Sequence, residues 1–223
     1  MATGTLTVQN VLTNVRELLG DKDPGGLQWL DAELFAWLNE GALEVIRLRP
    51  EASAETVAKV LTAGTQQALP VDGMTMLTVD FNGTVATPGR VCKLINRRQL
   101  DATMPDWHTH TKKKEVVWVM VSEANPQVFW VYPPNDGTGQ ITITYSKYPA
   151  KIDAMADLIP IADTFLAPLV DYICFRAYQK QLESKESQGR AAEHRQLFEN
   201  AMGITNKTFI ERGANGRAAQ EVV

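Results

Sequence analysis

The stretch that decides the fold is IADTFLAPLVDYICFRAYQKQLESKESQGRAAEHRQLFENAM, residues 161–202. Apolar side chains recur at three- and four-residue steps from 165 to 178, which places them on one broad helical face. A break follows around 184–189, and a second periodic run extends to 202. The pattern predicts two helices packed as a hairpin. Because one such pair leaves an apolar face uncovered, the hairpin needs another helical layer.

That layer is expected at the N-terminal end of the chain. Residues 7–19 and 31–49 each carry an apolar stripe at helical spacing. Gly20 and Pro50 follow them as stop signals, and Asp31 is the expected N-cap of the second helix. Asp163 is the expected N-cap of the first helix in the C-terminal hairpin.

Between these helical ends the hydrophobic period changes towards two, which is typical of strands. Strands are predicted at 74–81, 90–95, 115–121, 128–132 and 140–148, with turns between them. Residues 51–71 fit either a short helix or a strand, and 96–110 is irregular with one helical turn near 97–101.

The predicted fold class is therefore α+β, with N- and C-terminal helices forming a helical bundle and an inserted antiparallel β-rich subdomain. The expected divisions are an N-terminal helical pair at 1–50, a β-rich insert at 51–150, a C-terminal helical hairpin at 151–202 and a flexible tail at 203–223. The tail loses the apolar period, so it is expected to order only on binding a partner.

The totals exclude several classes of protein. At 223 residues and a net charge of −4, the chain lacks the basic excess of a general nucleic-acid-binding surface. No signal peptide and no run of about 20 apolar residues is visible, so synthesis in the cytoplasm is expected. Cys92 and Cys174 both lie in apolar surroundings, which favours buried free thiols.

Several short stretches, taken in order, resemble the head-to-tail adaptor proteins of tailed phages. These proteins are also called connector, head-completion or tail tubular proteins. The resemblance covers about residues 8–202, and the order of its packing and turn signatures carries it rather than any single motif. The matching stretches are Trp29-Leu30-Asp31 through Asn39-Glu40 to Leu48-Arg49-Pro50, then 63–70, 100–107, 129–134 and 145–149, and finally Asp171-Tyr172 and Arg190-Ala191.

The resemblance implies a structural virion protein without catalytic activity. It would assemble as a ring, commonly of twelve subunits, under the portal protein, extend the DNA channel and provide the attachment surface for the tail or nozzle protein. It also implies that the C-terminal segment docks on the portal. The residues of that segment expected to make contact are Ile204, Phe209, Ile210, Arg212, Arg217, Val222 and Val223.

Two further groups of residues are candidates for contacts. Lys112, Lys113 and Lys114 form the only basic run, which fits a contact with DNA phosphate or an acidic partner, or else a solvated loop. Trp107 is the candidate for a subunit interface, since it follows Pro105-Asp106 in an irregular segment, although an aromatic core is the ordinary reading.

No enzyme motif, cofactor site or metal site is predicted. His108 and His110 lack evident further metal ligands, and Asp153, Asp157 and Asp163 lack the spacing of a calcium-binding loop. Neither Gly25-Gly26 nor Gly137-Thr138-Gly139 resembles a phosphate-binding loop. The alternative from another class is a tail-associated carbohydrate- or receptor-binding component, with an aromatic site on the β-rich part. A small hydrolase with an unrecognised site is a third possibility.

Overall fold

A computed structural model of the chain describes residues 4–21, 28–181 and 184–203. In these ranges the helices are α1 (Val8–Leu19), α2 (Asp31–Leu48), α3 (Arg97–Thr103), α4 (Leu166–Lys180) and α5 (Lys185–Ala201). The strands are β1 (Ala54–Val60), β2 (Gly64–Ala68), β3 (Gly73–Thr84), β4 (Thr87–Val91), β5 (Lys93–Leu94), β6 (Trp118–Val121), β7 (Val128–Asn135) and β8 (Gln140–Lys147). Short 3-10 helices lie at Pro50–Ser53, Trp107–Thr109 and Asp163–Phe165.

The strands form two four-stranded sheets. The first has the order β1-β8-β3-β4 and the second β2-β7-β6-β5. All pairs are antiparallel except β5 with β6, which is parallel. The facing sides of the two sheets share one apolar core, to which Phe129 and Val131 of the second sheet and Ile141 and Ile143 of the first contribute. Side chains alternate along each strand, so the opposite face of the second sheet is free for α3.

Helix α4 is the centre of the helical part. It contacts α1, α2 and α5. Its buried residues belong to a core that also includes Ile152, Ile159 and Ile161 from the extended segment before it. Val8 and Gln9 of α1 donate backbone hydrogen bonds to that segment at 2.9 and 3.0 Å. The helical core is therefore completed by extended chain as well as by helices.

The predicted arrangement is wrong, although the α+β class agrees with the structure. The sequence predicts a helical bundle that carries an inserted antiparallel β subdomain. The β-rich region instead dominates the fold, with two sheets, a parallel strand pair and the helix α3 within it. Hydrophobic period identifies strands but does not say into how many sheets they pair, which explains the error. The divisions at residues 50, 150 and 202 stay a prediction.

Three local predictions also need correction. Asp31 lies inside α2 rather than capping it, and its carboxylate pairs with Arg16. Asp163 begins a 3-10 helix, and its carboxylate accepts hydrogen bonds from the backbone and side chain of Thr5 at 2.9 and 2.6 Å. The predicted break at 184–189 is shorter, because α5 begins at Lys185 with Ser184 as its cap.

The two cysteines are buried free thiols, as predicted. Burial raises the pKa of Cys92 to about 11 and that of Cys174 to about 12. Both thiols therefore stay protonated near neutral pH, and neither is placed to act as a nucleophile or a metal ligand.

Two helical glycines give a test of how tightly α2 packs on α4. A Cβ added at Gly41 would lie 2.8 Å from side-chain atoms of Leu169 and Tyr172, whereas one added at Gly189 in α5 would meet nothing within 4 Å. We expect Gly41→Ala to lower the free energy of unfolding by about 1–3 kcal/mol through overpacking. Gly189→Ala should raise it by about 0.5–1 kcal/mol through helix propensity. Urea unfolding followed by circular dichroism measures both, and equal effects of the two substitutions would contradict a close α2–α4 contact.

Candidate functional site

The lysine run lies on a segment whose backbone is held against the end of β7. Lys113 donates its N–H to the carbonyl oxygen of Pro134 at 2.8 Å, and Asp136 donates to the carbonyl oxygen of Lys113 at 3.2 Å. Lys112, Lys113 and Lys114 are all exposed. Since these bonds fix the backbone, the segment presents three ammonium groups from a defined position.

Asn135 is the side chain that holds this segment in place. It is fully buried, and its Nδ2 donates to the carbonyl oxygens of Lys113 at 3.2 Å and Lys114 at 2.9 Å. Its Oδ1 accepts from the backbone N–H groups of Gly137 at 2.8 Å and Gly139 at 3.2 Å. One amide group therefore joins the lysine segment to the β7–β8 turn. A Cβ at Gly139 would collide with Asn135 and with the carbonyl oxygen of Lys114, which explains the glycine.

The three lysines form no ion pair with the described residues around them. In the part of the chain that the structure describes, none of the three ammonium groups has an ion-pair partner. Two hydrogen bonds from Thr138, through its hydroxyl and its backbone N–H, lower the pKa of the Asp136 carboxyl, and the positive charge of Lys114 adds to this effect. Asp136 is therefore an ionised neighbour of Lys114, and an external anion would bind beside it.

The two histidines beside this segment do not face each other as metal ligands would. Nδ1 of His108 lies 2.8 Å from the hydroxyl of Thr65, and Nδ1 of His110 lies 3.1 Å from the hydroxyl of Tyr132. Burial lowers the pKa of His108, with a smaller contribution from the charge of Arg97. Among the residues in the described ranges, no group of three or more His, Cys, Asp or Glu side chains could hold a metal ion.

Trp107 is buried in its own chain. It is fully inaccessible, contacts a small core with Leu100 and Met120, and donates from Nε1 to Oδ1 of Asp101 at 2.8 Å. A neighbouring subunit would meet the residues that cover Trp107 rather than its ring. Its place at a subunit interface stays a prediction.

A groove runs beside α3 at the outer edge of the second sheet. It has a volume of about 650 Å³ and is lined in part by Leu94, Val121 and Trp130. The guanidinium carbon of Arg97 lies 4.2 Å from the ring centre of Trp130 and covers that ring. Arg97 pairs with Asp101 at 3.3 Å. Arg98 pairs with Glu123 at 3.4 Å, so the cations of this groove have acidic partners, although the buried Nε of Arg97 makes no hydrogen bond within the described residues.

The remaining predicted contact residues lie outside the described residues. They are Ile204, Phe209, Ile210, Arg212, Arg217, Val222 and Val223. The structure brings Lys112, Lys113 and Lys114 together on one hydrogen-bonded segment and places Trp107 in a separate core. Sequence reasoning missed Asn135, because it assigned Pro133-Pro134-Asn135 to a turn. The signal that marks it is an Asn followed by glycines two and four positions later, at the end of a strand.

A family model described as SU10 adaptor protein matches residues 6–220. No curated protein matches the chain. Among the described residues, no helix is both long and apolar enough to cross a membrane.

Removing the Asn135 side-chain amide should free the lysine segment. Asn135→Ala leaves the N–H groups of Gly137 and the buried Gly139, and the carbonyl groups of Lys113 and Lys114, without this partner. We therefore expect the free energy of local opening to fall by about 1–3 kcal/mol. Trypsin cleavage after Lys112, Lys113 or Lys114 should then become roughly ten times faster or more, since about 1.4 kcal/mol is a factor of ten. Time-resolved digestion with mass spectrometry identifies the cut.

The matched control is Asn125→Ala, which removes an Asn from an exposed turn where it accepts from Gln127 at 3.1 Å. It should leave cleavage at the lysine run unchanged. Equal cleavage in wild type and Asn135→Ala would show that the buried amide does not hold this segment.

Proposed function

The chain belongs to the SU10 adaptor protein family, and from this premise we propose that it is the head-to-tail adaptor of a tailed-phage virion. Membership makes it a structural phage adaptor protein and a virion component, in a family that is not one of enzymes. The finer proposal is that identical subunits form a ring of twelve under the portal protein. The ring extends the DNA channel and offers the surface to which the tail or nozzle protein attaches.

The observation that carries the proposal is the extent of the family match. It runs from residue 6 to residue 220 and so takes in both the folded body and most of the C-terminal segment. A segment without the apolar period of a helix or strand has no core of its own to join, so a binding role accounts for its place in the family pattern. We assign portal docking to 203–223, through the contact residues that the sequence predicts there.

The lysine run has a distinct role in this proposal. Three exposed ammonium groups, none of them in an ion pair within the described ranges, lie on a segment whose backbone Asn135 holds, in a chain whose net charge is −4. Phosphate oxygens of DNA, or carboxylates of a partner, are the groups that such a cluster attracts. Because the lysines are few, they would contact passing DNA without sequence preference and without strong retention.

The groove beside α3 gives little support to the alternative that the chain binds carbohydrate. A sugar needs an open aromatic face on which to stack, and Arg97 covers the ring of Trp130. Trp118 is stacked against Tyr132, with ring centres 5.2 Å apart. The adaptor proposal therefore remains the better supported of the two.

Co-sedimentation with the portal ring of the same phage tests the docking proposal. We expect the full-length chain to travel with the portal at fixed stoichiometry and a form ending at Met202 to remain in the supernatant, since the deletion removes the assigned contacts. Binding of both forms would assign the main contact to the folded body. Binding of neither would contradict the proposed partner.

Replacing Lys112, Lys113 and Lys114 together by Ala tests the role of the lysine run. Because the substitution removes three exposed positive charges, we expect fewer DNA-filled particles when the variant supplies the adaptor during infection, measured as packaged DNA per assembled particle. The control replaces exposed Lys93, Lys151 and Lys185, which changes the net charge equally at scattered positions. Unchanged assembly and DNA content in the first variant would refute a channel or partner contact at these lysines.

A further inference from the structure

The β3–β4 hairpin extends past the end of the first sheet. Asn82 is the last residue of β3 that pairs with β8, and it lies opposite Ile141. Residues 83–88 then pair only between β3 and β4 in the described part of the chain. Every residue of β4 is exposed, and Val85 at the tip of the hairpin is 73% exposed. The hairpin therefore projects from the body of the fold.

The tip of this hairpin has a fixed shape. The hydroxyl oxygens of Thr84 and Thr87 lie 2.9 Å apart, and the N–H of Thr87 donates to Oγ1 of Thr84 at 3.1 Å. A Cβ added at Gly83, whose φ is 95°, would collide with the carbonyl oxygen of Thr87. One added at Gly89 would lie 2.8 Å from the carbonyl oxygen of Asn82. Because the two strands cross this closely, the tip is preformed and loses little conformational entropy when it binds.

The hairpin is covered by apolar and small side chains and carries a single charge. Residues 81–91 read FNGTVATPGRV, in which Arg90 is the only ionisable residue. Among the residues that the structure describes, none forms an ion pair with the Arg90 guanidinium. Val91, like Val85, is well exposed. Exposed apolar surface of this kind is typical of a site that another chain covers.

The groove beside α3 offers side chains that complement the hairpin. Leu94 and Val121 give it apolar surface. Glu123 has a side chain that is 70% exposed, and its ion pair with Arg98 at 3.4 Å lies in water, where such pairs contribute little to stability. The lining holds two arginines and two acidic residues, so its formal charge is zero. An apolar tip therefore meets no net like charge in the groove, and Glu123 is an exposed carboxylate for its one cation.

The hairpin and the groove lie at opposite ends of the paired sheets. Since β3 runs antiparallel to β8, the hairpin extends past the end where the turn at 136–139 joins β7 to β8. The groove takes Val121 from the last position of β6, opposite Phe129 near the start of β7. β7 has eight residues, so about 20 Å of strand separates the two features. The preformed hairpin does not reach its own groove across that length, and a tip that fills a groove belongs to a second copy.

We propose that the β3–β4 hairpin of one copy binds in the groove beside α3 of the next copy. Val85 packs against Leu94 and Val121, and Arg90 pairs with Glu123. Because the two surfaces differ, a hairpin and a groove stay free at the ends of a row of copies until the row closes into a ring. The inference rests on the proposed assembly of identical subunits and names the surfaces through which neighbours meet.

Disulfide cross-linking of copies assembled on the portal ring tests the contact. Val85→Cys with Ala124→Cys puts one thiol on the tip and one in the groove, which are too far apart to join within a chain. We expect oxidation to link copies into a ladder on a non-reducing gel. The control, Val85→Cys with Ala192→Cys, moves the second thiol to an exposed position of α5 and should give no ladder. The native cysteines are buried and should not compete.

Two charge reversals test the pairing of Arg90 with Glu123. Either Arg90→Glu or Glu123→Arg alone should raise the concentration of half-maximal ring formation about threefold to tenfold, and the two together should restore it. Sedimentation velocity over a concentration series, with the portal ring present, measures that concentration.

A substitution at the tip tests its burial in the groove by the same measurement. Val85→Asp should raise the concentration of half-maximal ring formation about tenfold or more, because it puts a carboxylate into apolar surroundings. Leu197→Asp makes a similar change at an exposed position of α5 and should have no effect.

The outcomes separate this contact from the wider assignment. A full complement of copies on the portal with no ladder in the first cysteine pair, or with equal ladders in both pairs, overturns the contact and leaves the adaptor assignment intact. Charge reversals that fail to restore each other, or equal effects of Val85→Asp and Leu197→Asp, also overturn it. A chain that associates neither with the portal nor with itself contradicts both the contact and the assignment.

Discussion

The burial of α4 is the constraint on which the rest of the fold depends. Its buried residues, which include Leu169, Ile173 and Ala177, belong to one core with residues of α1, α2 and α5. Trp29, nearly 150 positions earlier, donates from its indole to the carbonyl oxygen of Ala177 at 3.4 Å. Because α4 is covered from several sides, both ends of the chain must meet before this core is complete. Contacts between residues so far apart in sequence slow folding, because the entropy of closing a long loop is lost before they form.

Two buried asparagines hold the backbone of the segment that follows Lys112. Asn82 donates to the carbonyl oxygen of Val116 at 2.7 Å and accepts from its N–H at 2.8 Å, so its amide imitates a strand partner. Asn135 serves Lys113 and Lys114 in the same manner on its donor side. An Asp at either position would lack the donor, and a Leu would lack both. The two side-chain amides thus hold the backbone at Lys113, Lys114 and Val116.

Local patterns of the sequence were sufficient for most elements but not for their assembly. Apolar residues at helical spacing predict α1, α2, α4 and α5, and alternating apolar and polar residues predict β3, β6, β7 and β8. β7 extends through Pro133 and Pro134, where turn chemistry predicts an end, because Lys113 pairs there with the carbonyl oxygen of Pro134. A contact between residues more than 20 positions apart overrides the local signal in this case. The parallel β5–β6 pair and the division into two sheets depend on such contacts and have no local signature.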